Sequence, residues 1–135
     1  MIKNLNIVET IDDSNPKNMN NIDPEKLKNI TNGFVEHIDC ICLDQFTFKD
    51  RNELMVIMTQ KLSNKGVISL KVLNLNLLSN QVDKCGITGQ KLSEILPHIK
   101  SAWSDEECND VISQLNLKIK GMYYDYIYTI YQLEK

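Results

Sequence analysis

Two short runs of mostly apolar residues stand out along the chain, at positions 38–43 and 67–73. The first run ends at Asp44. Runs of this kind are typical of strands that are buried on both faces, and such strands belong to parallel sheets. We therefore predict two neighbouring parallel strands at these positions.

The segment between the two runs has the pattern of an amphipathic helix. Its apolar residues recur at helical spacing, at Leu54, Met55, Met58 and Leu62. We expect this helix to begin at Asp50, with Glu53 completing a capping box, and to stop at residues 64–66. A strand, a helix and a second strand in this order predict a right-handed crossover.

The N-terminal part of the chain predicts smaller elements. Residues 5–9 alternate between apolar and polar side chains, which favours a strand. Asp23 suits the N-cap of a short helix, and Pro24 suits its first position. Residues 32–33, an Asn-Gly pair, are expected to end that helix.

The C-terminal half adds two helices and a hairpin. Residues 90–96 predict a short helix, and Ser104 with Glu107 forms a capping box that begins another. Residues 117–122 and 126–133 are rich in residues that favour strands, so they predict an antiparallel hairpin. The whole pattern predicts an α/β fold: a mostly parallel sheet with a C-terminal antiparallel hairpin, in one domain of 135 residues.

Composition narrows the classes of partner. A net charge of -3 with scattered Lys and Arg argues against nucleic acid, which needs clustered positive charge. The four cysteines and two histidines lack the paired spacing of a zinc site, so we expect no metal. No run reaches the roughly 18–20 apolar residues of a membrane span, and the N-terminus lacks a signal-peptide pattern. We therefore expect a cytoplasmic protein with reduced thiols and no membrane partner.

Three segments resemble a known family. Residues 35–46 resemble the fourth strand of class I S-adenosylmethionine-dependent methyltransferases, and residues 50–68 resemble the helix, turn and fifth strand that follow. Residues 108–119 are similar to the last helix and sixth strand of that family. The resemblance implies a Rossmann-like, methyltransferase-type sheet that is truncated at its N-terminal side. It also implies S-adenosylmethionine as the cofactor.

The resemblance has a gap near the N-terminus, where the family holds its cofactor with a glycine-rich turn. Glycine is needed there because the backbone approaches the ligand closely, but this chain has no glycine before Gly33. The strand at residues 5–9 corresponds either to the family's first strand or to its second. In the second case Glu9 would bind the ribose hydroxyls of the cofactor. We name Glu9, Asp12 and Gln45 as cofactor-binding candidates, and a solvated loop is the alternative reading of the two acids.

Asp44 is the best candidate for a catalytic residue, because open α/β sheets bind ligands beyond the carboxyl ends of their strands. Asn74 and Asn76 follow the next strand and are candidates for substrate binding. Asp and Asn are also common in turns, so a turn residue is the alternative for each of the three.

Two functions remain open from the sequence. The first is a methyltransferase in which Asp44 orients the methyl acceptor. The second is a non-catalytic binding or structural subunit with the same fold, which forms a homo-oligomer or a complex with another protein through an exposed sheet edge. Trp103, predicted to lie in a loop, is a further hint of an interface.

Overall fold

The computed structural model of the chain describes residues 1–8 and 21–135, in which six strands form one sheet. The strands are Ile2–Ile7 (β1), Asn21–Ile22 (β2), Val35–Cys40 (β3), Leu62–Leu73 (β4), Lys118–Asp125 (β5) and Tyr128–Glu134 (β6). The α-helices are Pro24–Leu27 (α1), Phe48–Lys61 (α2), Leu75–Asp83 (α3), Gly89–Ile95 (α4) and Asp105–Gln114 (α5). Two short 3-10 turns lie at Leu43–Gln45 and Leu96–His98.

The strand order in the sheet is β2-β1-β3-β4-β6-β5. The first four strands are parallel, and β6 is antiparallel to both of its neighbours. The predicted fold class is therefore confirmed: a mostly parallel α/β sheet that is closed by an antiparallel C-terminal hairpin. From β1 the chain moves to β2 on one side and then to β3 on the other, so the strand order reverses between β1 and β3.

The two faces of the sheet differ in burial. Side chains on the first face are buried, and this buried face is made of Leu5, Ile7, Ile38, Cys40, Ile68, Leu70, Val72, Thr129, Tyr131 and Leu133. Apolar residues of α2 and α5 pack on it in one core, which removes their surface from water. On the opposite face, which we call the open face, the central side chains are half-buried; they include His37, Asp39, Ser69, Lys71, Tyr128 and Gln132.

The helix α2 has the predicted buried stripe but different ends. It begins after Thr47, not Asp50, because the Thr47 side chain accepts a hydrogen bond from the backbone N–H of Asp50. It ends at Lys61, and residues 64–66, which were predicted to stop the helix, lie inside β4. Gly66 is required there because a Cβ atom would stand 2.9 Å from the carbonyl oxygen of Ser63.

Two predicted helix N-termini are confirmed by the structure, and one helix was missed. Asp23 caps α1 by accepting a hydrogen bond from the backbone N–H of Lys26, and the Ser104–Glu107 capping box of α5 is present. Helix α3 was missed, because its apolar residues are mixed with asparagines that favour turns. None of the described helices is long and apolar enough to cross a membrane.

The sequence position of Trp103 suggested an interface residue. The structure contradicts this, because Trp103 is only 1% exposed. It packs against Arg51, whose guanidinium carbon lies 4.1 Å from the centre of the Trp103 ring system and 4.2 Å from that of Phe48. The Arg51 Nη1 atom donates a 2.8 Å hydrogen bond to the carbonyl of Ala102. This buried cation between two aromatic rings joins α2 to the segment before α5.

Candidate functional site

The carboxyl ends of β3 and β4 lie at the same edge of the sheet, and one stretch of backbone, residues 100–103, fastens both. The backbone N–H groups of Lys100 and Ser101 donate to the carbonyl of Asp44, at 2.8 and 3.1 Å. The Trp103 N–H donates to the carbonyl of Leu73 at 3.2 Å, and the Trp103 carbonyl accepts from Leu75 N–H at 2.8 Å. This edge is where parallel α/β sheets place their ligands.

Asp44 is held at this edge with its side chain only 8% exposed. Burial raises the pKa of its carboxyl group, while its own backbone N–H and the positive charge of Lys71 act in the opposite direction. The charge of Asp44 in turn contributes to the raised pKa of Tyr128, for which burial is the larger cause. The Lys71 Nζ atom lies 4.5 Å from the centre of the Tyr128 ring. Asp44, Lys71 and Tyr128 therefore form one electrostatically coupled cluster.

Asn74 is also at the edge, but its side-chain amide is bound within the fold. Its Nδ2 atom donates to Asp105 Oδ1 at 2.6 Å and to Thr129 Oγ1 at 2.8 Å. Its Oδ1 atom accepts from the backbone N–H groups of Asn76 and Leu77, which makes Asn74 the N-cap of α3. An amide has two donor hydrogens and two acceptor lone pairs, so these four contacts use all of them.

The other predicted site residues lie in different settings. Asn76 is exposed, and its Oδ1 atom accepts from the Asp105 backbone N–H at 3.3 Å. Gln45 is half-buried at the end of the 3-10 turn, next to Asp44. Glu9 and Asp12 lie outside the residues that the structure describes.

The end of β1 faces a buried thiol. The Cys42 Sγ atom donates to the carbonyl of Ile7 at 3.4 Å, at the point where the strand order reverses. A hydrogen bond with Cys42, followed by burial, raises the pKa of the Cys40 thiol well above its usual range. A raised pKa keeps the Cys40 thiol protonated, so it is a poor nucleophile and serves as a packed core side chain.

A cleft of roughly 330 Å³ lies between α1 and the start of α2. Four carboxylates and one lysine line it, which leaves a net negative charge: Asp23, Glu25, Asp50, Glu53 and Lys28. Phe46 and Ile57 supply part of its apolar wall. The volume is at the lower limit for a small-molecule site, and the lining is more highly charged than in most such sites.

Asp23 is a candidate site residue that the sequence interpretation missed, because only its role as a helix cap was predicted. It directly follows β2, so it lies at the carboxyl edge beside the cleft. In dinucleotide-binding sheets an acidic residue about 20 residues beyond the first strand binds ribose hydroxyls. Asp23 comes 16 residues after Ile7. The signal was hidden because β2 has only two residues and shows no alternation.

A cluster on the open face contains a histidine, a serine and an aspartate, but it does not form a catalytic triad. His37 Nε2 lies 3.1 Å from Asp39 Oδ1 and 3.0 Å from Ser69 Oγ. A triad needs the two ring nitrogens to face different partners, whereas here one nitrogen meets both. Ser69 Oγ also donates to Gln132 Oε1 at 2.8 Å. In residues 1–8 and 21–135, no group of three or more His, Cys, Asp or Glu side chains could hold a metal ion.

No protein-family pattern and no characterised protein sequence matches this chain. Solved structures do match it. A S-adenosylmethionine-dependent methyltransferase from Archaeoglobus fulgidus superposes with a TM-score of 0.69 at 10% identity, over 99% of this chain and 86% of that one. Magnesium protoporphyrin IX methyltransferase from Synechocystis, solved with bound S-adenosylhomocysteine, gives 0.52 at 14% identity, over 84% of this chain and 49% of that one.

A third match is a methyltransferase from Haloferax volcanii that was solved in complex with a methyltransferase activator protein. It has a TM-score of 0.56 at 9% identity, over 78% of this chain and 56% of the other. The chain spans only part of most matched structures: 44% of a protein from Bordetella parapertussis, 49% of the Synechocystis enzyme and 56% of the Haloferax protein. At identities this low the matches show a shared fold: this chain has the Rossmann-like sheet of S-adenosylmethionine-dependent methyltransferases.

Proposed function

We propose that this domain binds S-adenosylmethionine in the cleft between α1 and α2 and acts as a methyltransferase. The observation that carries the proposal is the position of this cleft. It opens at the carboxyl edge of a methyltransferase-type sheet, and it combines an aromatic wall with carboxylates.

The residues of the cleft fit the nucleoside half of this cofactor. Asp23 has a second carboxylate oxygen beyond the one that caps α1, and that oxygen suits the ribose hydroxyls. The Phe46 ring suits the flat face of adenine. The acidic lining also favours the positive charge of the sulfonium group. When bound, the cofactor would supply the methyl group for transfer.

Asp44 is the residue that we assign to the methyl acceptor. A carboxylate whose pKa is raised by burial is a better proton acceptor near neutral pH than an exposed one. Asp44 would accept a hydrogen bond from the acceptor's hydroxyl or amine and orient its lone pair. Lys71 and Tyr128, which are coupled to Asp44, border the same position.

Calorimetric titration with S-adenosylmethionine and S-adenosylhomocysteine tests the proposal. We expect Asp23→Asn to weaken binding by about tenfold or more, because a charged acceptor of ribose hydroxyls is lost. Asparagine is also a good N-cap, so α1 should be retained. The matched control is Glu25→Gln, which removes a neighbouring charge paired with Lys28 and should change affinity less. Absence of heat with both ligands at millimolar concentration would refute cofactor binding.

A second candidate is a non-catalytic binding or structural subunit with the same fold. Two observations favour it: residues 1–32 contain no glycine, and the Cys42 thiol donates a hydrogen bond to the carbonyl of Ile7 at the end of β1. Such a domain would keep the sheet as a platform for a partner. The same titration separates the two candidates, since a subunit of this kind would bind neither ligand.

A further inference from the structure

Strand β5 forms one end of the sheet and is open to solvent along its whole length. Seven of its eight residues are exposed, and only Gly121 is half-buried. Four large side chains, Ile119, Met122, Tyr123 and Tyr124, are roughly half exposed. Within the part of the chain that the structure describes, β5 pairs only with β6. A long free strand of this kind presents unpaired backbone groups that can pair with another strand.

The register with β6 divides the β5 side chains between the two faces, because residues directly opposite each other share a face. Ile119, Met122 and Tyr124 stand opposite Leu133, Tyr131 and Thr129, so they belong to the buried face. Lys118, Gly121, Tyr123 and Asp125 belong to the open face. The register shifts between Ile119 and Gly121, which leaves Lys120 as an extra residue. Its Nζ atom pairs with Glu134 at 2.9 Å.

The register with β6 gives β5 a symmetry that is not visible in its amino-acid sequence alone. With Lys120 set aside as the extra residue, the strand has seven ladder positions, and Met122 is the middle one. Two copies of β5 placed antiparallel about Met122 therefore keep every side chain on the same face as its opposite partner. Such a two-fold axis is the geometry of most protein dimers.

The pairs formed in this register are complementary. Lys118 stands opposite Asp125 of the other copy at both ends, so opposite charges meet twice. Ile119 stands opposite Tyr124, an aliphatic–aromatic pair. Gly121 stands opposite Tyr123, whose ring can cover the glycine, and Met122 stands opposite itself. Cross-strand pairs of these kinds stabilise antiparallel sheets.

We propose that β5 pairs with β5 of a second copy of this chain in this register, which extends the sheet to twelve strands across a two-fold axis. The complementarity of charge and of side-chain size selects a second copy over other occupants of the edge. The dimer is independent of the cofactor cleft, which lies near the opposite end of the sheet beside β2. Loss of cofactor binding and loss of dimer formation are therefore separate outcomes.

Charge reversal gives the first test. Sedimentation equilibrium over a range of concentrations should show a monomer–dimer equilibrium for the unaltered chain. Asp125→Lys sets two lysines opposite each other at both ends and should weaken the dimer by about tenfold or more. The double variant Lys118→Asp with Asp125→Lys restores opposite charges and should recover dimer formation. Far-ultraviolet circular dichroism checks that each variant is folded.

Disulfide trapping tests the register. In a Cys85→Ser background, which removes the exposed native thiol, Met122→Cys should form a covalent dimer under mild oxidation. Opposite residues of paired strands have the spacing that a disulfide needs. Tyr124→Cys is the matched control, because its two copies would lie about 14 Å apart along the strands and should not cross-link.

Each result decides the proposal in one direction. The proposal is supported if the chain dimerises, the double variant recovers dimer formation, and cross-linking occurs at position 122 alone. A monomer at all concentrations overturns it, and would mean that the edge lysines keep β5 unpaired. A dimer that is unaffected by Asp125→Lys, or cross-linking at 124 in preference to 122, also overturns it, because the two copies would then meet elsewhere.

Discussion

The ends of β3 and β4 both carry a buried polar residue at the same edge of the sheet, yet the two residues differ in their hydrogen bonds. Asn74 makes four hydrogen bonds within the fold, which hold the start of α3 to α5 and β6. Asp44 is fixed by its backbone carbonyl, while its carboxyl group is buried beside Lys71 and Tyr128. A fully bonded polar group stabilises a fold, whereas a buried carboxylate with a raised pKa suits a ligand or a proton transfer.

The largest expected effect is at Asn74. Asn74→Ala removes a helix cap and leaves Thr129 and two backbone N–H groups without their partner, so we expect the free energy of unfolding to fall by about 2–4 kcal/mol. Urea denaturation measures the loss. The control is Asn76→Ala, at an exposed position with one long hydrogen bond, where the change should stay below about 1 kcal/mol. Equal losses for both variants would contradict a structural role specific to Asn74.

A smaller effect of opposite sign is expected at Asp44. Because its pKa is raised in the folded state, folding favours the protonated form, and this contribution is lost as the pH rises from the unfolded to the folded pKa. Asp44→Asn cannot ionise, so its advantage in stability over the unaltered protein should grow over that pH window and then remain constant. Thermal melts from pH 3 to pH 8 measure it. An advantage that shrinks as the pH rises would show that the ionised carboxylate is stabilised by the groups packed around it.

The smallest expected effect is at Lys71. Lys71→Met removes the positive charge that favours the ionised carboxylate, so the pKa of Asp44 should rise further. The carbon-13 chemical shift of the Asp44 carboxyl group, followed against pH, measures the change. The matched control is Lys3→Met, which should leave that titration unchanged. Lys3 is exposed at the amino end of β1, whereas Asp44 lies at the carboxyl ends of the strands. An unshifted titration in Lys71→Met would mean that the two charges are not coupled.

The parts of the fold that depend on local pattern could be predicted from the sequence. The runs at 38–43 and 67–73 mark β3 and β4 because these are central strands, although β3 already ends at Cys40 and not at residue 43. Residues that favour strands predicted the C-terminal hairpin. The predicted start of α2 was wrong because Thr47 and Asp50 are both good caps, and it is the Thr47 side chain that makes the cap hydrogen bond. Residues 64–66 looked like a helix stop, but the chain uses them for the irregular first part of β4.

The parts of the site that depend on distant contacts could not be predicted in this way. Asp44 was found because it directly follows the apolar run that marks β3, although β3 itself ends at Cys40 and Asp44 lies in the 3-10 turn beyond it. The full set of bonds made by Asn74 joins it to Asp105 and Thr129, 31 and 55 residues away. Arg51 is 51 residues from the carbonyl that it binds, so its burial next to Trp103 has no local signature. The place of Asp23 at the carboxyl ends of the strands follows only from the strand order, which the sequence did not give.

The stretch at residues 100–103 has a consequence for how this domain can vary in length. It fastens the turn after β3 and the start of α3 mainly with backbone hydrogen bonds, and the side chains that matter there are Ser101, whose hydroxyl donates to the carbonyl of Phe46 at 2.8 Å, and the buried Trp103. An inserted or deleted residue would displace both strand ends at once. Relatives of this chain that differ in chain length near the edge should therefore carry their insertions between α3 and α4, where the helices expose most of their residues to solvent.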